Sequence, residues 1–374
     1  MSDPTPTFRD VSRITCMVHQ RLGAKVTECL VGMGAHTVLV ENARAVRQHI
    51  RPRPWMFPGN LTEIHGTPVE VFRTTVPRDC VDAVMRALIE ALELERPGHG
   101  AIYAQDLKEH SLLEPPVLKI NSGKEGLLLR DLVLLTGILS QVGGGDALAK
   151  SALKLGTCVP VITRGMGTGI RDQLGLLRIT IPPEKELVHL MLPAQDAAGI
   201  QRLLIEDARM DRPGGGFLYQ TPIRAGVVDP LLRIGRQEHA ASMEQVIAAM
   251  DELKCGTGWR KRFGDLEDPR NERMKPLRRN HREITFICTE GRVDAFVRAA
   301  MRVGAGGATT ARVRCLSESD FEGGIGARER GILCVPAGRC DTVIEALYAA
   351  EQELEDTHCR IQMLEAPSVF SHQR

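Results

Sequence analysis

The sequence repeats one order of secondary-structure elements three times, and this repetition limits the possible folds more than any other feature. Each of three segments reads strand, helix, strand, loop, strand, helix, strand, judged from its hydrophobic periodicity and β-branched runs. The segments begin at Arg13, Asp131 and Glu283. A supersecondary unit that recurs along a chain is the signature of repeated small domains. The repetition therefore predicts three copies of one α+β unit.

The elements predicted within the segments can be given in chain order. In the first segment they are a strand at 13–18, a helix at 22–33, a strand at 36–41, a loop at 44–66, a strand at 68–76, a helix at 79–94 with Asp79 as N-cap, and a short strand at 101–104. In the second they are 131–139, 146–155, 157–164, a glycine-rich loop at 165–178, 184–192, 196–210 and 217–220. In the third they are 284–289, 293–303, 308–316, a glycine-containing loop after 316, 332–336, 341–355 and 359–364.

The predicted order βαββαβ is that of the ferredoxin-like, or split βαβ, unit. Such a unit has one sheet with helices on one face, so its open face must be covered. Three units in one chain can cover these faces by closing around a shared pseudo-threefold axis, and the alternative is three separate domains on a string. The predicted domains are repeat 1 (10–106), a linker (107–128), repeat 2 (129–230), an inserted helix at about 239–253 and charged linker (231–282), and repeat 3 (283–368).

The composition is that of an ordinary globular protein and argues against several classes of function. The 374 residues carry a formal net charge of +1, so nothing draws the chain generally to nucleic acid or membranes. No apolar run approaches the roughly 20 residues of a membrane span, and the polar start MSDPTPTFRD is unlike a signal peptide. The ten cysteines are scattered without a CxxC pair, which predicts reduced thiols in a cytoplasmic protein, and no histidine spacing suggests a metal site.

Glycines after the second predicted strand of repeat 2 form the first candidate site. Gly165, Gly167 and Gly169 lie in the stretch VITRGMGTGIRD. Glycines in a loop allow positive φ and close approach to a ligand, and their N–H groups can form an anion-binding nest. The alternative is a mobile loop that binds nothing.

A second motif occurs twice in the same predicted position, between the second helix and the last strand. Repeat 1 has RPGHG at 96–100 followed by AIY, and repeat 2 has RPGGG at 212–216 followed by FLY. One interpretation is a tight turn that needs glycine. The other is a cradle for a phosphate or carboxylate with an adjacent arginine.

These motifs resemble those of the PII (nitrogen-regulatory) signalling protein superfamily. GHGAIY (98–103) and GGGFLY (214–219) are similar to the B-loop sequence GDGKIF of that family, and VITRGMG (161–167) resembles the TEVKGFG that leads into its T-loop. PPEKELVHLML (182–192) resembles the stretch that leaves the T-loop, and IRAG (223–226) looks like the basic RTG segment after the last strand. The resemblance is strongest in repeat 2, partial in repeat 1 and nearly absent in repeat 3.

The resemblance implies that an effector binds in clefts between repeats. In PII proteins these clefts hold ATP or ADP, so an adenine nucleotide is the expected cofactor, although a different small anionic metabolite is compatible with the pattern. The implied ligand-binding residues are Arg96, Gly98, His99, Gly100, Gly165, Gly167, Arg171, Arg212, Gly214, Gly215, Gly216 and Arg224. The implied function is signal transduction, in which glycine-rich loops control a partner enzyme or a membrane transporter. A chain with three repeats is expected to act as a monomeric pseudo-trimer.

The sequence also departs from the family pattern. The B-loop lysine is replaced by Ala101 and Phe217, the T-loop glutamine falls at Gly169, and the lysines after the T-loop become Glu184 and Glu186. These changes do not favour 2-oxoglutarate sensing. Repeat 3 has Thr357–Arg360 (THCR) where the glycines belong, which predicts a structural cleft there.

Other classes of function find less support in the sequence. No nucleophile elbow, Ser-His-Asp pattern or phosphate-binding GxxxxGK[ST] is present, so no catalytic or metal-binding residues are predicted and the chain is not expected to be an enzyme. The pairs Arg171/Asp172 and Glu184/Glu186 are interpreted as solvated charges. The basic stretch 259–282 is interrupted by acidic residues, which favours a solvated linker over nucleic-acid binding. A CutA-type metal-linked relative and a ligand-free structural adaptor remain alternatives.

Overall fold

Three successive units build the protein, and each has the order βαββαβ. The computed structural model describes residues 6–52, 60–113, 116–120, 128–140, 143–169, 184–212, 214–229, 277–317 and 326–371. Repeat 1 contains β1 (Arg9–His19), α1 (Gly23–Gly32), β2 (Thr37–Pro52), β3 (Asn60–Pro77), α2 (Val81–Leu92) and β4 (Gly100–Ser111). Repeat 2 contains β5 (Leu132–Leu139), α3 (Gly144–Lys154), β6 (Val161–Gly169), β7 (Glu184–Pro193), α4 (Ala194–Asp207), β8 (Phe217–Ile223) and the short β9 (Ala225–Val227). Repeat 3 contains β10 (Arg278–Thr289), α5 (Val293–Arg302), β11 (Gly307–Ser317), β12 (Gly326–Pro336), α6 (Cys340–Leu354) and β13 (Arg360–Ser371).

Within each repeat the four main strands pair in the same antiparallel order. The orders are β2-β3-β1-β4, β6-β7-β5-β8 and β11-β12-β10-β13. The first and third strands of the unit are therefore central, and the second and fourth form the edges. This is the strand order of a ferredoxin-like unit. The predicted α+β class and the prediction of three repeated units are confirmed.

The edge strands of one repeat pair with the edge strands of the others. The second strands meet one another, because β6 pairs with β2 and β11 pairs with both β2 and β6. The last strands meet likewise, because β13 pairs with β4 and with β8, and β4 pairs with β9. All of these pairs are antiparallel, so the sheets close on themselves as a barrel. Closure removes the open edges that a single unit would expose.

Each repeat keeps a hydrophobic core of its own between its sheet and its two helices. α2 shows why the sequence folds in this way: Val81, Val84, Met85 and Leu88 recur at helical spacing and are buried. Comparable clusters centre on Leu148 and Leu204 in repeat 2 and on Phe296 and Leu347 in repeat 3. The helices lie outside the closed sheets, so the faces that the helices leave uncovered meet in the interior.

The start of α2 differs from the prediction. A short 3-10 turn, Arg78–Cys80, precedes the helix, and Asp79 lies within that turn instead of capping the helix. No side chain caps the first turn of α2. Pro77 fixes an extended backbone at the end of β3, so the chain enters the helix through the 3-10 turn.

The predicted loop at 44–66 is wrong for most of its length. β2 continues to Pro52 and β3 begins at Asn60, so the two strands form a long hairpin. Val46 is buried in the core of repeat 2, and Ile64 packs against the same cluster. The arginines and prolines of this stretch suggested a loop, but packing against another repeat stabilises it as strand.

Several other boundaries differ from the prediction in the same direction. β4 continues to Ser111, past the predicted start of the linker, and pairs with β1 and β13 over that extension. β12 begins at Gly326, so the predicted loop sequence GARERG is strand that pairs with β11. The predicted helix at 239–253 and most of the charged stretch at 259–282 lie outside the described residues. The predicted linker is wrong at 278–282, because these residues begin β10 and pair with β13.

Charged side chains fill part of the interior where the repeats meet. Glu41 of repeat 1 accepts hydrogen bonds from Arg73 of the same repeat and from Arg330 of repeat 3, both at 2.8 Å. Arg13 of repeat 1 donates to Glu283 of repeat 3 at 3.1 Å, and the Tyr219 hydroxyl of repeat 2 donates to the same carboxylate at 2.8 Å. All five charged residues are at most 7% exposed. Interior ion pairs therefore link repeats 1 and 3, and Tyr219 connects repeat 2 to them.

The strand register relates Arg13, Leu134 and Glu283 to one another. Near the start of each last strand, Ala101 pairs with Met17, Phe217 pairs with Ile138 and Arg360 pairs with Ile287. Arg13, Leu134 and Glu283 each lie four residues before these partners on the first strand of their repeat. One equivalent position thus holds a cation, an apolar residue and an anion. A homotrimer could not pair these side chains in this way.

We predict that Glu283→Leu lowers the free energy of unfolding by about 3–5 kcal/mol, because it leaves the Arg13 guanidinium buried without its carboxylate. Arg13→Leu combined with Glu283→Leu makes the three equivalent positions apolar and should recover much of that loss. Urea denaturation of the two variants and the unsubstituted chain measures both effects. Equal destabilisation of the single and double variants would contradict the pairing.

Candidate functional site

The turn that precedes β4, called the first turn here (residues 96–100), requires glycine at two positions. Gly98 has φ +91° and Gly100 has φ +140°, conformations that residues with a side chain rarely adopt. A Cβ on Gly100 would lie 2.1 Å from the Met17 carbonyl oxygen of β1. The His99 carbonyl also accepts a hydrogen bond from the His19 N–H at 3.2 Å. These contacts hold the first turn against the end of β1.

A cleft between repeats 1 and 2 opens beside the first turn and is called the outer cleft here. Repeat 1 contributes the turn, the end of β1 and the base of the β2–β3 hairpin, and repeat 2 contributes the chain before β6 and after β9. The lining residues are Met17, His19, Ala45, Arg47, Thr67, Val69, Gly98, Gly100, Ala101, Val159, Val161 and Asp229. Gly98 and Gly100, both predicted as ligand-binding residues, therefore lie at a boundary between repeats.

The carboxylate of Asp229 occupies the polar end of the outer cleft. Its Oδ1 accepts a hydrogen bond from the Gly98 N–H at 3.0 Å, and its Oδ2 pairs with the Arg47 guanidinium. Asp229 is 5% exposed. A carboxylate held by a backbone N–H and an arginine is bound as an anionic ligand would be bound. The first turn and Arg47 thus form an anion cradle, and the chain itself supplies the anion.

Burial and charge act in opposite directions on this carboxylate. Burial raises the pKa of Asp229 above its ordinary value, while Arg47, the Gly98 N–H and His99 act to lower it. Burial dominates, so the pKa is raised and the ionised carboxylate is held at a cost. A contact of this kind is one that a competing anion could replace.

His19 lies at the other side of the cradle and is half-buried. Burial lowers its pKa, and the neighbouring Arg21, Arg47 and His99 lower it further. The histidine is therefore neutral at pH 7, and Arg47 is the cation of the outer cleft that faces Asp229. The cavity left in the cleft measures about 10 Å³, which is room for about one water molecule. An anion larger than water fits only if Asp229 moves away.

The turn that precedes β8, called the second turn here (212–216), has the same glycine requirement. Gly214 and Gly216 have φ +78° and +131°. A Cβ on Gly216 would lie 2.7 Å from the Ile138 carbonyl oxygen of β5, which matches the position of Gly100 against Met17. A Cβ on Gly215 would meet the Met210 backbone at 2.7 Å. Both predicted turns thus exist. At each of them, positive φ angles and close backbone contacts account for the glycines.

Gly165 and Gly167 do not lie in a loop, contrary to the prediction. They are part of β6, which pairs with β7 on one side and with β11 on the other. A Cβ on Gly165 would lie 2.8 Å from the Thr310 carbonyl oxygen, and one on Gly167 would lie 2.1 Å from the Lys185 side chain. Glycine is needed at 165 because a strand of repeat 3 passes closely beside it, whereas a Cβ on Gly167 would first meet the flexible side chain of Lys185 in its own repeat. Gly169 ends the same strand, and Arg171 lies outside the described residues.

The predicted arginines are dispersed. Arg96 is exposed and pairs at 2.6 Å with Glu93, which lies three residues earlier in the chain. Arg224 pairs with Asp106 across the boundary between repeats 2 and 1 at 3.3 Å. Arg212 lies on the exposed side of the second turn, where its carbonyl accepts the Gly215 N–H. None of these three arginines lines the outer cleft.

Repeat 3 lacks the glycines, and the register explains what stands in their place. Arg360 pairs with Ile287 as Ala101 pairs with Met17 and Phe217 with Ile138. Arg360 therefore occupies the position where repeats 1 and 2 have Ala101 and Phe217. Its guanidinium points to the interior and donates to Thr37 and Thr75 of repeat 1 at 2.6 and 3.2 Å.

Sequence reasoning missed Arg47 and Asp229, the two charged residues of the outer cleft. Arg47 was placed in a loop, and Asp229 follows β9 without any motif around it. Their separation of 182 residues leaves no local signal for the pair. A strand prediction at 44–52 would have been a clue, because a strand there directs alternate side chains toward repeat 2.

The described part of the chain contains neither a metal-binding cluster nor a helix that could span a membrane. No group of three or more His, Cys, Asp or Glu side chains in that part of the chain could hold a metal ion. No helix among those described is long and apolar enough to cross a membrane. The nine described cysteines form no disulfide with one another, and six of them are buried: Cys16, Cys158, Cys288, Cys315, Cys340 and Cys359.

Comparisons with known proteins give distant structural similarity and no sequence match. No family model matches the chain, and no curated protein sequence matches it either. The fold is similar to that of GlnK from B. subtilis, a PII signalling protein solved in complex with ATP, at 15% sequence identity. The match covers 27% of this chain and 88% of that chain, with a TM-score of 0.24. At this level membership in the family and any shared function are matters for proposal.

We predict that Gly100→Ala lowers stability by about 1–3 kcal/mol, because it forces a Cβ into a glycine-only conformation and against the Met17 carbonyl. Gly199→Ala is the matched control, since Gly199 lies in α4 with open space around it and should stabilise the helix by about 1 kcal/mol. Thermal unfolding of both variants measures the difference. A neutral Gly100→Ala would show that the first turn is not held as described.

Proposed function

We propose that the protein is a PII-like signal-transduction regulator whose effector is a small anion bound in the outer cleft between repeats 1 and 2. The observation that carries the proposal is the Asp229 carboxylate on the Gly98 N–H and Arg47. A backbone N–H at a glycine turn and an arginine from a neighbouring strand are the groups that recognise phosphates and carboxylates. An adenine nucleotide such as ATP or ADP is the first candidate, and a carboxylate metabolite is the next.

In this proposal the effector competes with Asp229 for the cradle. Arg47 lies on β2, within the hairpin that packs against repeat 2 through Val46 and Ile64. When the effector replaces the Asp229 carboxylate at Arg47, the base of this hairpin loses its ion pair with repeat 2. A ligand shifts such an equilibrium only to the extent that it prefers one state, and each tenfold preference is worth about 1.4 kcal/mol.

The proposed output is contact with a partner protein, either an enzyme or a membrane transporter, and the proposal includes no catalytic activity of the chain itself. The hairpin of repeat 1 is the candidate contact element, because it extends 16 residues in β2 and 18 in β3 while its base reaches the outer cleft. The protein would act in the cytoplasm as a monomer, since the three repeats already close on one another.

We predict that Asp229→Asn increases the stabilisation of the protein by anionic ligands in a thermal-shift panel of ATP, ADP, AMP, cyclic nucleotides, 2-oxoglutarate and bicarbonate. The asparagine keeps the side-chain size and removes the competing charge. A ligand at about 100 times its dissociation constant adds roughly 2.7 kcal/mol. Arg47→Met should abolish the shift, and Arg130→Met, which alters an exposed arginine paired with Asp82, should leave it intact.

The pH dependence provides the second readout of the same experiment. Because the pKa of Asp229 is raised, falling pH protonates this carboxyl earlier than an exposed aspartate and frees the cradle. Ligand affinity should therefore rise as the pH falls in the unsubstituted chain and rise less in Asp229→Asn. Arg47, His19 and His99 face the same space in both proteins. Equal responses of the two proteins, or no shift with any ligand, would contradict the proposal.

A ligand-free structural adaptor is the second candidate, and one observation favours it. The cradle already holds Asp229, and the remaining cavity of about 10 Å³ admits no metabolite. In that case Asp229 is a permanent link between repeats 1 and 2. Asp229→Asn would then destabilise the protein and no ligand in the panel would restore it.

A further inference from the structure

A second cavity lies in the interior between repeats 1 and 3, and four arginines line it. We call it the arginine cavity. Its lining residues are Arg13, Thr37, Leu39, Arg73, Thr74 and Thr75 from repeat 1 and Thr285, Ile287, Arg330, Arg360 and Gln362 from repeat 3. No acidic residue of the described chain belongs to this lining. The cavity is separate from the outer cleft, because the two share no lining residue.

The arginines outnumber the carboxylates that pair with them. Arg13 pairs with Glu283, Arg73 and Arg330 share Glu41, and Arg360 lies 3.7 Å from Glu109. Glu109 is itself shared with Arg9 at 3.5 Å. Four guanidinium groups around the cavity thus face three carboxylates. All four arginines are at most 9% exposed, so at least one positive charge is buried in excess.

Hydrogen-bond donors remain unused at the cavity. The Nε atoms of Arg13 and Arg330 are buried and have no partner, and these two residues are 7% and 4% exposed. Thr37 and Thr75 accept from Arg360 through their hydroxyl oxygens, so their own hydroxyl protons are available to donate. Buried donors of this kind are normally satisfied, and an unsatisfied one costs free energy.

Neighbouring groups respond to the same positive potential. Burial lowers the pKa of Arg330, and Arg73 and Arg13 lower it further, while Glu41 and Glu283 oppose them. Burial likewise lowers the pKa of His189, with Arg73, Arg330 and Arg13 adding to the effect. The arginines therefore repel one another and disfavour a proton on His189, and a nearby negative charge would reduce this repulsion.

The size of the arginine cavity restricts its occupant. Its volume is about 10 Å³, which suits one water molecule or one monatomic ion of similar size. A further cavity adjoins it and shares Thr37, Thr75 and Arg360, and its lining also includes Arg9, His36 and Glu109.

We propose that the arginine cavity binds one monovalent monatomic anion, a halide such as chloride, as the counterion of the four buried arginines. The ion balances the excess positive charge between repeats 1 and 3. It also accepts hydrogen bonds from donors that have no partner in the protein, such as the Nε atoms of Arg13 and Arg330. Guanidinium groups are weakly hydrated cations and suit an anion in a site of this kind. The site is independent of the function proposed for the outer cleft.

The direct test is a crystal of the full chain grown or soaked in sodium bromide and measured at the bromine absorption edge. The proposal predicts an anomalous peak among Arg13, Arg73, Arg330 and Arg360, since bromide replaces chloride at halide sites. A structure with bromide bound elsewhere and none in the arginine cavity would overturn it, and the cavity would then hold water.

The solution test is thermal and urea unfolding at constant ionic strength, with sodium gluconate replaced stepwise by sodium chloride. One halide site predicts that the folding equilibrium constant rises about tenfold for each tenfold increase in chloride above the dissociation constant. Arg330→Met leaves Glu41 paired with Arg73 and equalises the charges, so its stability should not depend on chloride. Arg130→Met is the control and should keep the chloride response. A chloride response retained by Arg330→Met, or absent from the unsubstituted chain, would overturn the proposal, and the bromide structure decides if Arg330→Met does not fold.

Discussion

Strand pairing between repeats is the constraint on which the rest of the structure depends. Each βαββαβ unit has two edge strands, and each edge finds its partner in another repeat through β2, β6 and β11 or through β4, β8, β9 and β13. The pairing covers sheet edges and faces that an isolated unit would expose to water. It also creates the boundaries between repeats, where the outer cleft and the arginine cavity are found.

Linking three units in one chain allows equivalent positions to diverge. The register relates Arg13, Leu134 and Glu283, and two of these form an ion pair across repeats. It likewise relates Ala101, Phe217 and Arg360, and Arg360 alone lines the arginine cavity. Two boundaries of one pseudo-threefold fold thus have different chemistry: a glycine turn with a carboxylate in one, and an arginine cluster in the other.

The sequence predicted the repeated units well because their cores follow local periodicity, as in α2 with Val84 and Leu88. It failed where contacts between repeats decide the structure. Residues 44–52 and 60–66 are strand because Val46 and Ile64 pack on repeat 2. Gly165 and Gly167 are strand because β6 pairs with β11 of repeat 3. The glycine turns at 96–100 and 212–216 were predictable, since positive φ needs glycine. Asp229 and Arg47 were not, because they are distant in sequence and carry no motif.

Native-state hydrogen exchange is the measurement that tests closure of the three repeats most directly. If pairing between repeats is an integral part of the fold, amides at β4–β9, β11–β6 and β13–β4 should exchange with free energies close to those of the central strands β1, β5 and β10. The account would be contradicted if the amides that pair between repeats exchanged at much lower free energies than those of the central strands. It would also be contradicted if β1, β5 and β10 each exchanged at a different free energy. The repeats would then be three independent domains.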